Sequence, residues 1–366
     1  MAQKTLAAVT TDIMKTEVRE FDIPDIPIDA GLLKIEAAGI CGSDWNNYRK
    51  NKTPRIMGHE NIAFVDRLST LAAKNFKLKE GDRIALEEYI PCGQCSYCRS
   101  GDFRLCQQTE ARGQADSVIR YGSSPISLGP KLWGGYSQFM YLHPQAVVHR
   151  VKDNVPARHL AMSIPMSNGV QWVQFECGLK MGQAILIQGP GQQGLAAVMT
   201  AKHLGARLII VSGLARDKER LEKAKKFGAH VTINVEEEDL VQRVRDLTGG
   251  EGVDAVLDVA GGPNTLVDGI KCVRKSGTVV FASGGIIANF PAVDMNAKRV
   301  TLKAARGHSY QAVETAIELI SSGQYPVELM ATHEFKLDEV DLAIKSIGGE
   351  GVPGAIHVSV IPSKPI

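Results

Sequence analysis

Over the first forty residues, apolar and polar positions alternate in short runs, TLAAVTT, TEVREFDIP and GLLKIEAAGI, with Pro24 and Pro27 separating the second from the third. A period of two predicts half-buried strands, and the prolines mark a break between them. From about residue 180 the pattern changes. AILIQ is an unbroken apolar run of five, the signature of a strand covered on both faces. It runs into Gly189-Pro190-Gly191-Gln192-Gln193-Gly194 and then LAAVMTAKHLGA, a predicted helix ending at Gly205. Strand-like and helix-like segments go on alternating through RLIIVSG, DKERLEKAKKFG, VTINV, EDLVQRVRDLTG, VDAVLDVAGG, NTLVDGIKCVRKSG and TVVFASGG. Such repetition predicts an α/β unit built on a doubly wound parallel sheet. From about Gly307 come an amphipathic helix YQAVETAIELISSG, a strand HEFKL, a helix EVDLAIKSI and a closing strand AIHVSVIP. These are expected to return to the β-rich N-terminal domain. That domain is then discontinuous, 1–165 with 307–366, around a parallel-sheet domain at 166–306.

A chain of 366 residues has room for two such cores. The net charge of +2 gives no reason to expect nucleic acid or an anionic membrane as partner. No apolar stretch is long enough to span a bilayer, and MAQKTLAAVTTD lacks the layout of a signal peptide, so a cytoplasmic protein is expected. Seven cysteines, four of them crowded between Cys92 and Cys106, then read as metal ligands rather than a disulfide framework.

Three groups of residues carry chemistry. In the glycine turn, Gly189 permits the tight bend, Gly191 lets a pyrophosphate approach, and Gly194 lets helix pack on strand. The helix opening at Gln192 and Gln193 supplies free N–H groups for phosphate, so strand, turn and helix together predict a dinucleotide site. Cys92, Cys95, Cys98 and Cys106 can close tetrahedrally on one zinc and fasten a loop that has little core of its own. An iron–sulfur cluster takes the same four thiolates and is the alternative. Cys41, His59 and Glu60 offer a thiolate, an imidazole and a carboxylate, a set that suits zinc with an open position. By themselves they read rather as three unrelated polar residues in loops.

GICGSD, MGHE, KEGDRIALE, CGQCSYCRSGDFRLC, GGYSQFMYLHP, the glycine turn, AKKFGAHVTINV, GVDAVLDVAGG, VRKSGTVVFASGG and ATHEFKLDEVDLAI occur in that order. Over nearly the whole chain they resemble the zinc-dependent medium-chain dehydrogenase/reductase family, which includes alcohol, sorbitol and threonine dehydrogenases. The resemblance implies a GroES-like catalytic domain, with a zinc lobe at 88–110, and a Rossmann domain. It implies a catalytic zinc on Cys41 and His59 and a structural zinc on the four clustered cysteines. Ser43 would meet the substrate hydroxyl and start its proton's exit, Asp44 would orient His59, and Glu60 would lie beside the zinc or ligate it. Asn168 would lie near the nicotinamide, though it reads equally as a helix-capping or turn asparagine, and Ser283 and Gly284, ending a strand on its carboxyl side, are expected there too. The implied activity is reversible NAD(P)-linked oxidation of a small-molecule alcohol to a ketone or aldehyde. The assembly expected is a homodimer or homotetramer, with TVVFASGG able to pair across subunits.

Three positions depart from that pattern. Ile164 stands where relatives place a further zinc ligand, which leaves Glu60 as the third protein donor or the catalytic zinc weak or absent. Asn46 replaces the outer histidine of the proton relay and cannot titrate near neutral pH. Gly213 ends the second strand where an acidic residue usually holds the cofactor ribose, and Arg216 or Lys218 could pair with a 2′-phosphate despite Asp217 nearby. NADP(H) is therefore expected over NAD(H). Trp45, Asn46, Glu88 and Asn168 suggest a hydroxylated or otherwise polar substrate, although Glu88 reads equally as an exposed loop carboxylate. The alternatives are an NAD(P)H-dependent reductase lacking catalytic zinc and a nucleotide-binding sensor that has lost catalysis.

Overall fold

The computed structural model describes residues 3–110, 118–282 and 290–364. Ser283 and Gly284, expected at the nicotinamide, lie outside these residues. The N-terminal alternation yields β1 (Lys4–Asp12), β2 (Lys15–Asp22), β3 (Gly31–Gly39), β4 (Arg55–Ile56), β5 (Glu60–Leu68), β6 (Arg83–Leu86), β7 (Phe139–Leu142) and β8 (Val148–Arg150). The apolar runs further on yield β9 (Ala184–Gln188), β10 (Leu208–Gly213), β11 (Val231–Asn234), β12 (Val253–Asp258), β13 (Val273–Phe281) and β14 (Thr301–Ala304). The returning segment adds β15 (Ala331–Phe335) and β16 (His357–Val360).

The chain divides into two compact units, Met1–Ile164 with Met330–Ile366, and Pro165–Leu329. In the first, β2, β1 and β4 form one antiparallel sheet. A second runs β15–β16–β3–β5–β6–β8, with β7 also paired to β3. β3 has partners on both sides and is buried along most of its length, with Leu32, Leu33 and Ile35 in the core. In the other unit the order is β11–β10–β9–β12–β13–β14, every pair parallel. All five residues of β9 are buried at its centre, as an unbroken apolar run requires. Among the described residues no helix is long and apolar enough to cross a membrane.

Three details differ from expectation. The return to the first unit begins at Met330, not Gly307. The helix Tyr310–Ser321 stays with the parallel sheet's unit because its approach is tied there. Trp172 Nε1 donates to Gly307 O (3.1 Å), Ser309 N to Gln171 Oε1 (3.2 Å), and Tyr325 O–H meets His203 Nδ1 at 3.2 Å. VRKSG, expected to finish a helix, is the start of β13. The helix Thr265–Cys272 stops before it, and Ser276 takes φ +55°. Finally, β13 is not the last strand of its sheet. β14 covers it from Thr278↔Thr301 to Phe281↔Ala304, so the open edge belongs to TLKA.

Candidate active site and metal centres

Cys41 follows β3 and occupies the N-cap of the helix Gly42–Tyr48, while His59 leads into β5. β3 and β5 are antiparallel neighbours with Gly39 opposite Glu60, and that register carries the loop after one strand to the entry of the other. The donor atoms of Cys41, His59 and Glu60 lie within 4.8 Å of one another. Asp44 Oδ2 accepts from the Cys41 N–H (3.0 Å) and from the Tyr136 hydroxyl (3.0 Å), and its Oδ1 lies 3.3 Å from His59 Nδ1. Nδ1 is thereby committed to Asp44, and Nε2 is the nitrogen left for a metal. Burial disfavours charge on His59, but the carboxylates of Asp44 and Glu88 outweigh it and raise its pKa well above the ordinary value. With no metal bound, these carboxylates favour positive charge on the His59 ring or at its Nε2. Burial, and then Asp44, push the Tyr136 hydroxyl far above its usual range, so it remains a donor.

Glu60 is fully buried. Its Oε2 lies 3.0 Å from His357 Nε2, also fully buried, while its Oε1 has no hydrogen-bond partner among the described residues. An unpartnered buried carboxylate oxygen beside a thiol and an imidazole fits a divalent cation such as zinc. Ile164 is buried and cannot ligate; the third residue beside Cys41 and His59 with a donor atom in reach is Glu60. Neither Tyr136 nor His357 stood out as functional in the sequence. Tyr136 sat inside GGYSQFMYLHP without a role, and His357 was one polar residue in an apolar strand. Replacing His357 with leucine is expected to strand the Glu60 carboxylate and cost about 3 kcal/mol, read as a lower urea midpoint at unchanged slope.

The remaining candidates are arranged unevenly. Ser43 is exposed on the first turn of the helix Gly42–Tyr48. Asn46 accepts from Arg49 Nη2 (3.1 Å), and Trp45 packs on Gly348 with the Arg49 guanidinium 4.9 Å above its ring. Those contacts account for both side chains without a substrate. Glu88 is not an exposed loop carboxylate: its side chain is 12% exposed and ion-paired with Arg120. Asn168 lies within the helix Ser163–Val170, with Oδ1 3.1 Å from His308 Nδ1.

The four clustered cysteines converge as their spacing predicts. Their sulfurs lie within 4.8 Å of one another, with Cys95–Cys98 at 3.5 Å and Cys92–Cys98 at 4.0 Å. A zinc tetrahedron with ~2.3 Å bonds has sulfurs about 3.8 Å apart. Backbone N–H groups of Gln94 and Cys95 point at Cys92 Sγ, and they pull that thiol's pKa down to about 6. Burial pushes Cys98 up to about 12. The lobe otherwise has little core, since Tyr97 and Leu105 are exposed.

In the other unit, Gly189 ends β9 at φ +101° and Gly191 N-caps the helix Gln192–His203. A Cβ on Gly194 would come within 1.9 Å of Gly189 O, so helix and turn can approach this closely only with glycine there. Gln192 is buried and Gln193 half-buried. The turn opens on a cavity of about 730 Å³, lined also by Gly213, Arg216, Asp217 and Arg220. Asp217 Oδ2 accepts from Leu214 N (3.1 Å), so its carboxylate braces the loop after β10.

Residues 28–153 match the family described as the alcohol dehydrogenase GroES-like domain, and residues 194–322 that described as zinc-binding dehydrogenase. The chain is 32% identical to the probable alcohol dehydrogenase of Mycobacterium tuberculosis, over 94% of its own length and 95% of that protein's. It is 28% identical to the erythritol/L-threitol dehydrogenase of Mycolicibacterium smegmatis, covering 94% of each. The crystal structure of an alcohol dehydrogenase from Thermotoga maritima superposes with a TM-score of 0.87 at 26% identity, covering 99% of this chain and 100% of that one. With these matches spanning both units, the chain belongs to the zinc-dependent medium-chain dehydrogenase/reductase family.

Proposed function

We propose that this protein is a zinc-dependent, NAD(P)-linked dehydrogenase of a polar, hydroxyl-bearing small-molecule alcohol. Cys41, His59 and Glu60 hold the catalytic zinc, and Cys92, Cys95, Cys98 and Cys106 a structural one. The observation that carries this is the convergence of three unlike donors, Cys41, His59 and Glu60, together with a Glu60 carboxylate whose Oε1 is buried without a hydrogen-bond partner. When bound, zinc polarises the substrate oxygen and lowers its pKa, and the nicotinamide takes the hydride from the carbinol carbon. Asp44, held by Tyr136 and the Cys41 N–H, keeps His59 in the tautomer that turns Nε2 to the cation. Ser43 accepts the hydroxyl proton and passes it outward, since Asn46 cannot. Gly189, Gly191 and Gly194 admit the pyrophosphate to the helix N-terminus at Gln192 and Gln193. Asn168 steadies the nicotinamide from its helix, with His308 behind it.

The cofactor is NADP(H). Support comes from Gly213 at the end of β10, the engagement of Asp217 with its own loop, and Arg216 on the cavity wall. Arg216→Ser is expected to raise KM for NADP(H) about tenfold while moving KM for NAD(H) less than about twofold. Steady-state kinetics with both cofactors check this. The protein is cytoplasmic, as its seven cysteines, free of disulfides, suit a reducing compartment. It forms a homodimer or homotetramer, for which the open edge of β14 offers one surface, and light scattering tests that. A substrate panel run with both cofactors, beside zinc analysis, tests the whole proposal. Two zinc ions per chain and reduction of NADP⁺ by polar alcohols support it, whereas one zinc with carbonyl reduction alone favours the reductase lacking catalytic zinc.

A further inference from the structure

Beside the three clustered donors stands an ion pair that the catalytic scheme does not use. Glu88 follows β6 and Arg120 lies across from it, each side chain 12% exposed. Arg120 Nη2 (2.5 Å) and Nε (3.1 Å) both reach Glu88 Oε2, and the guanidinium lies 4.8 Å over the Tyr89 ring. The backbone holds the two together. Tyr89 and Arg120 form an antiparallel bridge, and Tyr121 N donates to Glu88 O at 3.0 Å. Glu87, one residue earlier, pairs with the fully buried His149 at 2.8 Å. Glu88 is directed elsewhere: its Oε2 lies 4.0 Å from His59 Nε2, the nitrogen not committed to Asp44. The metal-type cluster here is Cys41, His59 and Glu60, and Glu88 stands just beyond it.

We propose that the Glu88–Arg120 pair determines substrate specificity, Glu88 accepting a hydrogen bond from a neutral hydroxyl on the carbon next to the one oxidised. The inference rests on the dehydrogenase reading and deepens it. Were a substrate oxygen to bind beside His59 Nε2, this carboxylate, 4.0 Å from that nitrogen, would be within reach of a group on the neighbouring carbon. A carboxylate only accepts, so its complement must donate. An alkyl group there would drive water from the carboxylate and leave it desolvated, a loss of about 1–3 kcal/mol or more. Sites built to bind a substrate hydroxyl reject the analogue lacking it far more strongly than apolar pockets reject an extra methylene. Paired in this way, the Glu88 carboxylate and the Arg120 guanidinium are formally neutral together. An ammonium group therefore meets the Arg120 cation together with the Glu88 anion and gains little Coulombic energy, while losing more hydration than a hydroxyl does. The pair selects a vicinal diol over both a simple alcohol and an amino alcohol.

The test uses the zinc-loaded enzyme and three matched probes, 2,3-butanediol, 2-butanol and 3-amino-2-butanol. Wild type is expected to favour the diol over each of the others by about 30-fold or more in kcat/KM. Glu88→Leu should shrink the diol to 2-butanol ratio by about the same factor, chiefly through KM for the diol, with zinc content unchanged. Arg120→Gln, which removes the compensating cation, should raise 3-amino-2-butanol relative to the diol by about tenfold. A Glu88→Leu ratio equal to that of wild type, or a wild type that oxidises 2-butanol or the amino alcohol as well as the diol, overturns the inference while the dehydrogenase reading stands. A wild type that reduces neither nicotinamide with any alcohol overturns that reading and the inference with it.

Discussion

Cys41→Ala is expected to lower kcat/KM for the preferred alcohol by at least about 10³-fold, about 4 kcal/mol of transition-state stabilisation. Zinc content should fall from two ions per chain towards one, with both donor clusters otherwise intact. The fold should survive, for a local reason. Most of what Cys41 gives its surroundings structurally is its backbone, the extended N-cap of the helix Gly42–Tyr48 and the N–H donated to Asp44 Oδ2; the sulfur adds only a capping contact with the Asp44 N–H and a contact with His59. Asp44 keeps its bond from Tyr136, and His59 stays 3.3 Å from Asp44 Oδ1. Only the side-chain sulfur is lost, and with it one of the three donors proposed for the catalytic zinc. Initial rates, elemental analysis and a thermal melt on the same preparation separate the effects. Full activity in Cys41→Ala would remove Cys41 from the metal site and leave Glu60 Oε1 without an explanation.

What could be read from the chain and what could not divide along sequence distance. The glycine turn and the four-cysteine loop are local, because every residue that gives them meaning lies within fifteen positions, so spacing alone carries the chemistry. The second partners are not local. Tyr136 reaches Asp44 across 92 residues, Arg120 reaches Glu88 across 32, and His357 reaches Glu60 across 297. Each contact is made by sheet register or loop pairing, and no periodicity announces it. The same holds for the domain boundary. An apolar stripe on the helix Tyr310–Ser321 says that one face is covered, not which unit covers it, and the contacts made by Gly307 and Ser309 decide for the parallel sheet. β14 was missed because TLKA is four residues long and mostly exposed, with a lysine that interrupts any apolar run. Short edge strands are polar for a reason: a charged edge resists pairing with the wrong chain.

Cys98→Ser should leave the catalytic zinc in place and remove the other, and its effect should fall on folding of the lobe. Between Cys92 and Cys106 the chain has one short helix, Ser96–Arg99, and one 3₁₀ turn, Phe103–Leu105, neither able to stand alone. Tyr97 and Leu105 face solvent, and the lobe's main aromatic contact is Phe103 edge-on to Tyr89 at 6.0 Å. The organising centre is instead four sulfurs, with Cys106 buried and Cys92 receiving backbone N–H groups from Gln94 and Cys95. Metal binding at such a site is folding free energy, on the order of 10 kcal/mol for small zinc modules, and a tetrahedral site deprived of one thiolate keeps only part of it. A loss of about 3 kcal/mol would raise the population of the opened lobe more than about 100-fold. Trypsin should then cut at Arg99 or Arg104 at least about tenfold faster than in wild type, and chelator treatment of wild type should reproduce that cleavage. The parallel-sheet unit should keep its affinity for the nicotinamide cofactor, since the cavity at Gly189, Gly191 and Arg216 has no part in the lobe. Unchanged cleavage with the zinc gone would mean that the lobe holds itself together by packing, which its exposed Tyr97 and Leu105 give no means of doing.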